Sequence, residues 1–335
     1  MSRSDGTHCK EYFTDRMRDG IMKNHIGIIC LLLIMAISAI CLPGCKIYVH
    51  AARISQIAAE SMVQAGKDTK IYLIGTAEGS AENGTQTGEN TTEKSPETGK
   101  AGLKKLKKKI EKDLKGKTGQ WSVYVKNLDT NEYMLINNKK LPSASLIKLF
   151  VMMTAYEETE NGSVIKEDSS FNGHMKSMIT VSDNESANML TRGLTKKGTF
   201  KAGIKVINKY CKTNGYTKTR FLVEMGKSSP KNVTSAKDCG WALERMYRGT
   251  AVRSKSSKKM IRLLKKQTRI GKIPAGIPKG VTVANKTGET DFAENDAAIV
   301  YSDGADYVIV VMSKNGKDAV KEIRKISEIV YGYFN

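Results

Sequence analysis

The segment SASLIKLFVMMTAYEE, residues 143–158, most constrains the fold, because it is apolar on nearly every side of a predicted helix. Such a helix is stable in water only when other elements cover its whole circumference. The chain must therefore build layers of structure around residues 143–158. The composition permits this, since 40% of the 335 residues are hydrophobic, and it excludes a wholly disordered protein.

The beginning of the chain predicts a membrane anchor. Residues 26–42 form an uncharged run of 17 residues, close to the minimum that spans a hydrocarbon core of roughly 30 Å. Five basic residues precede this run, so the positive-inside bias predicts a cytoplasmic segment 1–25, a transmembrane signal anchor 26–42 and an extracytoplasmic remainder. Translation from Met22 would instead make Cys45 a lipoprotein anchor, and a buried core helix is the third alternative.

Residues 43–100 are predicted to form an extracytoplasmic tether, disordered from about residue 76, because large apolar side chains are almost absent from 76–100. The folded domain then spans 101–335. Residues 1–100 carry 11 basic and 11 acidic side chains, so the net charge of +21 lies on that domain. This charge favours an anionic wall polymer or a membrane surface as partner. The upstream anchor and the lack of an aromatic stacking pattern argue against nucleic acid.

The start of the domain predicts one helix and one hairpin. Seven lysines surround four apolar residues that recur at helical spacing, which predicts an amphipathic helix. The four apolar residues are Leu103, Leu106, Ile110 and Leu114. Two strand-like runs, 121–127 and 132–138, follow and are separated by a turn. Helical signals dominate from 143 to about 270.

Strand patterns return at 281–289, 296–302 and 306–313. A last helix carries Ala319, Ile323, Ile326 and Val330 on one face. The fold class is therefore α+β, in which both ends of the chain build one antiparallel sheet with flanking helices, and the middle forms a mostly helical subdomain.

Ser145 and Lys148 form a Ser-x-x-Lys pair inside the apolar segment. The lysine lies one helical turn after the serine, where a neutral amine can take the proton of the hydroxyl. Burial and neighbouring cations favour that neutral form. The alternative is a lysine whose ammonium reaches the surface. The spacing is not specific alone, since it recurs at Ser163/Lys166, Ser228/Lys231 and Ser256/Lys259.

A second motif, Ser182-Asp183-Asn184, precedes a helical pattern with Ala187, Met189 and Leu190 on its predicted buried face. Its alternative role is simply to cap that helix.

A third motif, Lys286-Thr287-Gly288, lies in the predicted strand 281–289. Glycine there permits close approach of a substrate backbone, and the ammonium and hydroxyl groups can bind a carboxylate. A second Lys-Thr-Gly, at 117–119, is expected only to join a helix to a strand.

The order of the three motifs is more specific than any one of them. Residues 101–335, with the phrases SASLIKLF, ITVSDNESAN and ANKTGE, resemble the penicillin-recognising serine hydrolases, nearest to the class A β-lactamases. The resemblance implies a β-lactamase/transpeptidase-like fold. It also implies acyl-enzyme formation with β-lactams or the D-Ala-D-Ala ends of cell-wall peptides, without a cofactor.

The resemblance assigns catalytic roles to three side chains. Ser145 would attack an amide carbonyl, Lys148 would assist its deprotonation, and Ser182 would pass a proton to the leaving nitrogen. Backbone N–H groups of Ser145 and Glu289 would form the oxyanion hole.

The resemblance also assigns substrate contacts. Lys286 and Thr287, with Gly288, would bind the substrate carboxylate, and Asn184 would bind the amide side chain. A charged Lys286 near Lys148 would help to hold the amine of Lys148 neutral.

Two departures from the family pattern limit what it implies. No Glu-x-x-Leu-Asn segment is present, and the corresponding stretch contains only Glu224, either a deacylating base or a surface carboxylate. Without that base an acyl-enzyme could be long-lived. Glu289 replaces a small residue and would repel an anionic substrate unless its side chain points away. A weakly catalytic module that binds or senses cell-wall peptide is therefore an alternative, as is a slowly deacylating D,D-peptidase.

Cysteine and histidine give little further chemistry. Cys211 and Cys239 could form a disulfide or remain two buried thiols. The four histidines are far apart, with no cysteine at ligand spacing, so no metal site is expected.

Overall fold

Strands from both ends of the domain pair into one antiparallel sheet. The computed structural model describes residues 98–227 and 229–335. In that part the strands are β1 Gln120–Asn127, β2 Tyr133–Ile136, β3 Leu141–Pro142, β4 Val233–Thr234, β5 Thr282–Thr290, β6 Ala293–Tyr301 and β7 Tyr307–Lys314. The large sheet has the order β2-β1-β7-β6-β5, and every neighbouring pair is antiparallel. The pairing of β1 with β7 confirms that both ends of the domain build one sheet.

The described middle of the domain is mostly helical, as the sequence predicts. The helices are α1 Thr98–Leu114, α2 Ile147–Glu160, α3 Ser169–Thr180, α4 Asn184–Gly193, α5 Phe200–Thr213, α6 Ala236–Tyr247, α7 Ser254–Leu264 and α8 Ala319–Phe334. Two 3-10 turns lie at Ala144–Leu146 and Ile273–Gly276. Side-chain oxygens cap the N-termini of four helices, α3 to α6, at Asp168, Asp183, Thr199 and Ser235.

Helices α1 and α8 cover one face of the sheet. The apolar stripe of α1 packs with that of α8 against strand residues that include Val123 and Val311. Leu114, at the end of α1, is only partly buried. The other residues of the two predicted stripes are buried: Leu103, Leu106, Ile110, Ala319, Ile323, Ile326 and Val330. This face forms the smaller of the two cores.

Helix α2 lies at the centre of the other core. All of its residues from Ile147 to Tyr156 are buried, which explains the apolar character of the segment on every side. Helix α6 packs directly on β1, since a Cβ on Gly240 would lie 2.3 Å from a ring carbon of Tyr124. Only glycine permits that approach.

The predicted buried face of α4 is partly wrong. Ala187 is 0% and Leu190 3% exposed, but Met189 is 45% exposed. Successive helix residues are rotated by about 100°, so Met189 lies away from the stripe that Ala187 and Leu190 share.

The predicted segments 1–25 and 26–42, most of the tether 43–100 and the lipidation site Cys45 lie outside the described residues. Among the described residues, no helix is both long and apolar enough to cross a membrane. Cys211 and Cys239 are free and buried, so of the two predicted states the structure has the thiols. Burial raises the pKa of Cys211 to about 12 and also raises the pKa of Cys239.

Candidate active site

Ser145 lies in the 3-10 turn directly before α2. Asn295 of β6 fastens this turn to the sheet, because its Nδ2 donates to the carbonyl oxygens of Pro142 at 3.0 Å and Ser143 at 3.2 Å. Ala144 has a φ of +45°, a left-handed conformation that is costly for a residue with a Cβ. Ser145 is partly exposed between buried neighbours and lines a cavity of about 230 Å³. The turn thus presents its hydroxyl to a site that substrate can enter.

Lys148 Nζ lies within hydrogen-bond distance of four oxygen atoms. It is 2.6 Å from the carbonyl oxygen of Ser182, 2.7 Å from Asn184 Oδ1, 3.1 Å from Ser145 Oγ and 3.2 Å from Ser182 Oγ. A neutral amine has two N–H donors and one lone pair. The two shortest contacts occupy both donors, which leaves the lone pair for a serine hydroxyl.

Burial lowers the pKa of Lys148 from 10.5 to about 7, because the ammonium loses its hydration in the core. The charge of Asp183 opposes this shift and that of Arg269 adds to it. The side chain is 0% exposed, so the alternative of a lysine that reaches the surface is wrong. Near neutral pH a large fraction of the protein therefore carries a neutral amine beside Ser145.

Ser182 lies between α3 and α4 in a strained backbone conformation, with a φ of +62°. Its neighbour Asp183 holds this turn, since its carboxylate accepts the N–H of Ser186 at 2.6 Å and its own N–H donates to Ser177 at 3.0 Å. The cap therefore does exist, and it serves to aim both Ser182 oxygens at Lys148.

Lys286 approaches Ser182 from β5. Its Nζ donates to Ser182 Oγ at 2.9 Å and to the Thr287 carbonyl oxygen at 3.0 Å. Burial lowers the pKa of Lys286 well below its usual range, and the charge of Lys148 lowers it further. Because both lysines contact one hydroxyl, repulsion disfavours the state in which both are protonated.

Gly288 brings β5 against the 3-10 turn that carries Ser145. A Cβ at this position would lie 3.0 Å from the carbonyl oxygen of Ser143 and 3.1 Å from the backbone nitrogen of Ser145. The backbone of β5 therefore passes close to Ser145. Both predicted oxyanion donors, the N–H of Ser145 and the N–H of Glu289 in β5, lie in this region. Thr287 is only 1% exposed, so its hydroxyl is much less accessible than the predicted contact with a substrate carboxylate requires.

Replacement of Gly288 by alanine is expected to slow acylation about tenfold, because the added Cβ displaces β5 from the Ser145 backbone by a few tenths of an ångström. The melting temperature should change little. The measurement is the rate of covalent penicillin labelling. Gly173→Ala in α3 is the matched control, since no atom lies within 4 Å of the added Cβ. Equal labelling rates in the two variants would contradict the role of this close approach.

Glu289 lines the cavity with Ser145, but its charge is neutralised by two cations. Its two carboxylate oxygens lie 3.0 Å from Lys272 Nζ and 3.0 Å from an Arg269 nitrogen. These cations lower the pKa of Glu289 against the opposing effect of burial. Lys272 is 4% exposed and also pairs with Glu294 at 2.6 Å. The predicted repulsion of an anionic substrate is therefore offset by two neighbouring cations.

Glu224 lines the same cavity but is held by basic side chains. Arg192 contacts one of its oxygens at 2.7 Å and Lys227 the other at 3.4 Å. The pKa of Glu224 is lowered mainly by the hydrogen bond from Arg192. A carboxylate whose oxygens are both paired is a poor base, so this geometry favours the interpretation of Glu224 as an ion-paired surface residue.

Several residues that shape the site were not singled out from the sequence. Asn188 holds the loop around Glu224 through two hydrogen bonds with the backbone of Met225, at 2.9 and 3.1 Å. Asn232 accepts from Leu222 and donates to Val223 in the same loop. Asn295 fastens the turn that carries Ser145. The sequence signal that could have indicated Asn295 is the polar pair Asn295-Asp296 beside an apolar strand pattern. Arg269 and Lys272 have no such signal, because only the fold brings them to Glu289.

The comparisons with known proteins agree with this geometry. A family model described as the β-lactamase enzyme family matches residues 105–172 and 166–334. The chain belongs to the β-lactamase enzyme family. The resemblance inferred from the three motifs is thereby confirmed, and the family identifies the chain as a serine hydrolase that acts through an acyl-enzyme. No curated protein matches the chain.

Several solved structures share the fold. PBP-A is 22% identical, with a TM-score of 0.62 over 69% of this chain and 96% of that one. A β-lactamase from Sphaerobacter thermophilus is 18% identical, with a TM-score of 0.58 over 70% of this chain and 97% of that one. The TLA-3 extended-spectrum β-lactamase is 21% identical, with a TM-score of 0.61 over 69% and 98%. The predicted α+β, β-lactamase/transpeptidase-like fold is confirmed.

Proposed function

We propose that this member of the β-lactamase enzyme family is an extracytoplasmic hydrolase that acylates Ser145 with β-lactams or D-Ala-D-Ala-ended cell-wall peptides and deacylates slowly. The observation that carries the proposal is the contact between Lys148 Nζ and Ser145 Oγ at 3.1 Å, together with the pKa of about 7 for that lysine. A serine hydroxyl beside a buried neutral amine is an activated nucleophile, because the amine can take its proton.

Acylation follows from these contacts. Lys148 takes the proton of Ser145 as Oγ attacks the carbonyl carbon, and the N–H groups of Ser145 and Glu289 stabilise the negative oxygen. The carbon–nitrogen bond then breaks. Ser182 Oγ, which lies between Lys148 and Lys286 at 3.2 and 2.9 Å, gives its proton to the leaving nitrogen. Lys148 then returns to Ser182 the proton that it took from Ser145.

Substrate binding uses the rim of the cavity. Lys286 and Thr287, with Gly288, are proposed to bind the carboxylate that β-lactams and D-Ala-D-Ala peptides share. This contact requires their side chains to move, because Lys286 is 0% and Thr287 1% exposed. Asn184 is exposed and can bind the amide side chain.

Slow deacylation follows from the state of Glu224. Hydrolysis of the acyl-enzyme requires a base that takes a proton from water. Among the described residues, no carboxylate is hydrogen-bonded to Ser145, and Glu224 is paired with Arg192 and Lys227. A mutant of the fold relative PBP-A was itself solved as an acyl-enzyme complex with penicillin G.

The cellular setting is part of the proposal. The uncharged segment 26–42 supports a single-pass membrane anchor with the domain outside, or lipid attachment at Cys45. The net charge of +21 supports contact with an anionic wall polymer or a membrane surface. A sensor that binds wall peptide with little catalysis is the second candidate, and the paired state of Glu224 is the observation that favours it.

The test is intact-mass spectrometry of the full-length protein after addition of penicillin G, with removal of free drug and a time course. We expect one penicilloyl adduct, mapped to Ser145, that persists for hours. Glu224→Gln should leave the decay rate of the adduct unchanged. The matched control is Glu185→Gln, since Glu185 is the other carboxylate that contacts Arg192, at 2.9 Å, and it should also leave the decay rate unchanged.

Two results would contradict this proposal. Loss of the adduct within minutes, slowed by Glu224→Gln alone, would make Glu224 the deacylating base and the protein a β-lactamase with efficient turnover. Absence of an adduct at saturating penicillin and with a D-Ala-D-Ala peptide thioester would leave the binding module.

A further inference from the structure

Helix α5 carries a row of lysines that the catalytic proposal does not use. Residues 186–223 contain no acidic side chain. Six lysines of this stretch are exposed and together form what we call the lysine face: Lys196, Lys197, Lys201, Lys205, Lys209 and Lys212. The opposite side of α5 is buried through Gly203, Ile207, Tyr210 and Cys211. The lysine face is therefore a surface of one sign on a well-packed helix.

No residue that the structure describes pairs with these six ammonium groups by an ion pair or hydrogen bond. The contrast is the longer acid-free segment 245–288, in which several basic side chains reach carboxylates outside the segment. Five of them are paired: Arg248, Arg253, Lys259, Arg269 and Lys272. The lysine face differs from segment 245–288 in that none of its six lysines has such a partner.

The spacing of the lysine face fits a linear polyanion. Lys201, Lys205 and Lys209 are four residues apart on one helix side, so their Cα atoms lie about 6 Å apart along the axis. Like charges at this spacing destabilise an isolated helix. An external chain of anionic groups with a similar repeat would remove that repulsion. The phosphate groups of a phosphodiester polymer with a three-carbon repeat unit have such a spacing.

The surroundings of the lysine face argue against two other partners. The exposed large apolar side chains of the described chain lie elsewhere, the nearest in sequence being Met189 and Leu222. A helix that inserts into a bilayer needs such side chains beside its lysines. Binding of single-stranded nucleic acid uses exposed aromatic rings, whereas Phe200 of α5 is partly buried and packs on Phe221.

We propose that the lysine face of α5 binds a linear phosphodiester polyanion of the cell-wall type. This surface is separate from catalysis, because no residue of α5 lines the cavity at Ser145. The proposal sharpens the partner suggested by net charge, since it assigns binding to one helix and to one of the two anionic partners.

The test compares two triple variants of the full-length protein that each lower the net charge from +21 to +18. One is Lys201→Gln/Lys205→Gln/Lys209→Gln on the lysine face. The matched control is Lys255→Gln/Lys258→Gln/Lys266→Gln, which replaces exposed lysines at and after α7. Binding of synthetic poly(glycerol phosphate) is measured at several salt concentrations, and penicillin labelling of Ser145 reports the catalytic site.

We expect the lysine-face variant to lose about tenfold or more in affinity at 0.15 M salt, with a shallower salt dependence because fewer counterions are released. The control should lose less than threefold, and both variants should label Ser145 at the parental rate. Equal losses in the two variants would overturn the proposal, as would tighter binding of the parent to anionic phospholipid vesicles or to poly(dT). Failure of labelling with intact polymer binding would instead contradict only the proposed catalytic function.

Discussion

Ser145→Ala is expected to abolish every covalent adduct with penicillin, because in the proposed mechanism Ser145 Oγ forms the bond to the acyl group. Removal of the nucleophile of a serine hydrolase costs on the order of 10⁶ in kcat. The fold should be unaffected, since Ser145 is partly exposed in its turn. The measurement is the intact mass after prolonged incubation at saturating drug.

The control for this prediction is a second serine in the same sequence spacing. Ser163 precedes Lys166 by three residues, but Ser163 Oγ donates to Glu158 and has no contact with Lys166 among the described residues. Ser163→Ala should therefore label like the parent. An adduct that survives Ser145→Ala, or that is lost in Ser163→Ala, would show that the nucleophile lies elsewhere.

Lys148→Met is expected to slow acylation by roughly 10²–10⁴-fold, the range of general base catalysis. The same variant should melt at a higher temperature, because an amine whose charged form is disfavoured by burial is replaced by an apolar side chain of similar length. Opposite changes in activity and stability distinguish a catalytic lysine from a structural one. Lys166→Met, at the exposed Ser-x-x-Lys pair, should alter neither quantity appreciably.

The pH dependence of Lys148 has a defined sign. Since the pKa of Lys148 is about 7, acylation of the parent should rise with pH below about 7 and level off above it, as the neutral amine becomes populated. In the unfolded chain the pKa is near 10.5, so the unfolded state binds more protons between pH 7 and 10.5. The stability gap between Lys148→Met and the parent should therefore be largest below pH 7 and shrink as pH rises towards 10.5. A flat acylation profile, or a gap that widens with pH, would contradict a neutral Lys148.

Local patterns determined much of the fold. The spacing of Leu103, Leu106 and Ile110 predicted α1, and the strand patterns at both ends of the domain predicted one antiparallel sheet. Each depends only on which residues of one segment face the core. The same reasoning wrongly predicted that Met189 is buried, because the width of a buried helix face depends on the neighbouring helices that cover it.

The sequence by itself determined the three motifs, their order and the presence of a lysine that had to be buried. It could not determine what surrounds that lysine. The pKa of about 7 arises because the fold buries Lys148 away from water. Lys286, which follows Ser182 by 104 residues in the chain, contacts the same Ser182 hydroxyl as Lys148. The neutralisation of Glu289 by Arg269 and Lys272 was also invisible in the sequence. Such contacts join residues distant in sequence, and their energies depend on separation and solvent exposure, which only the tertiary structure sets.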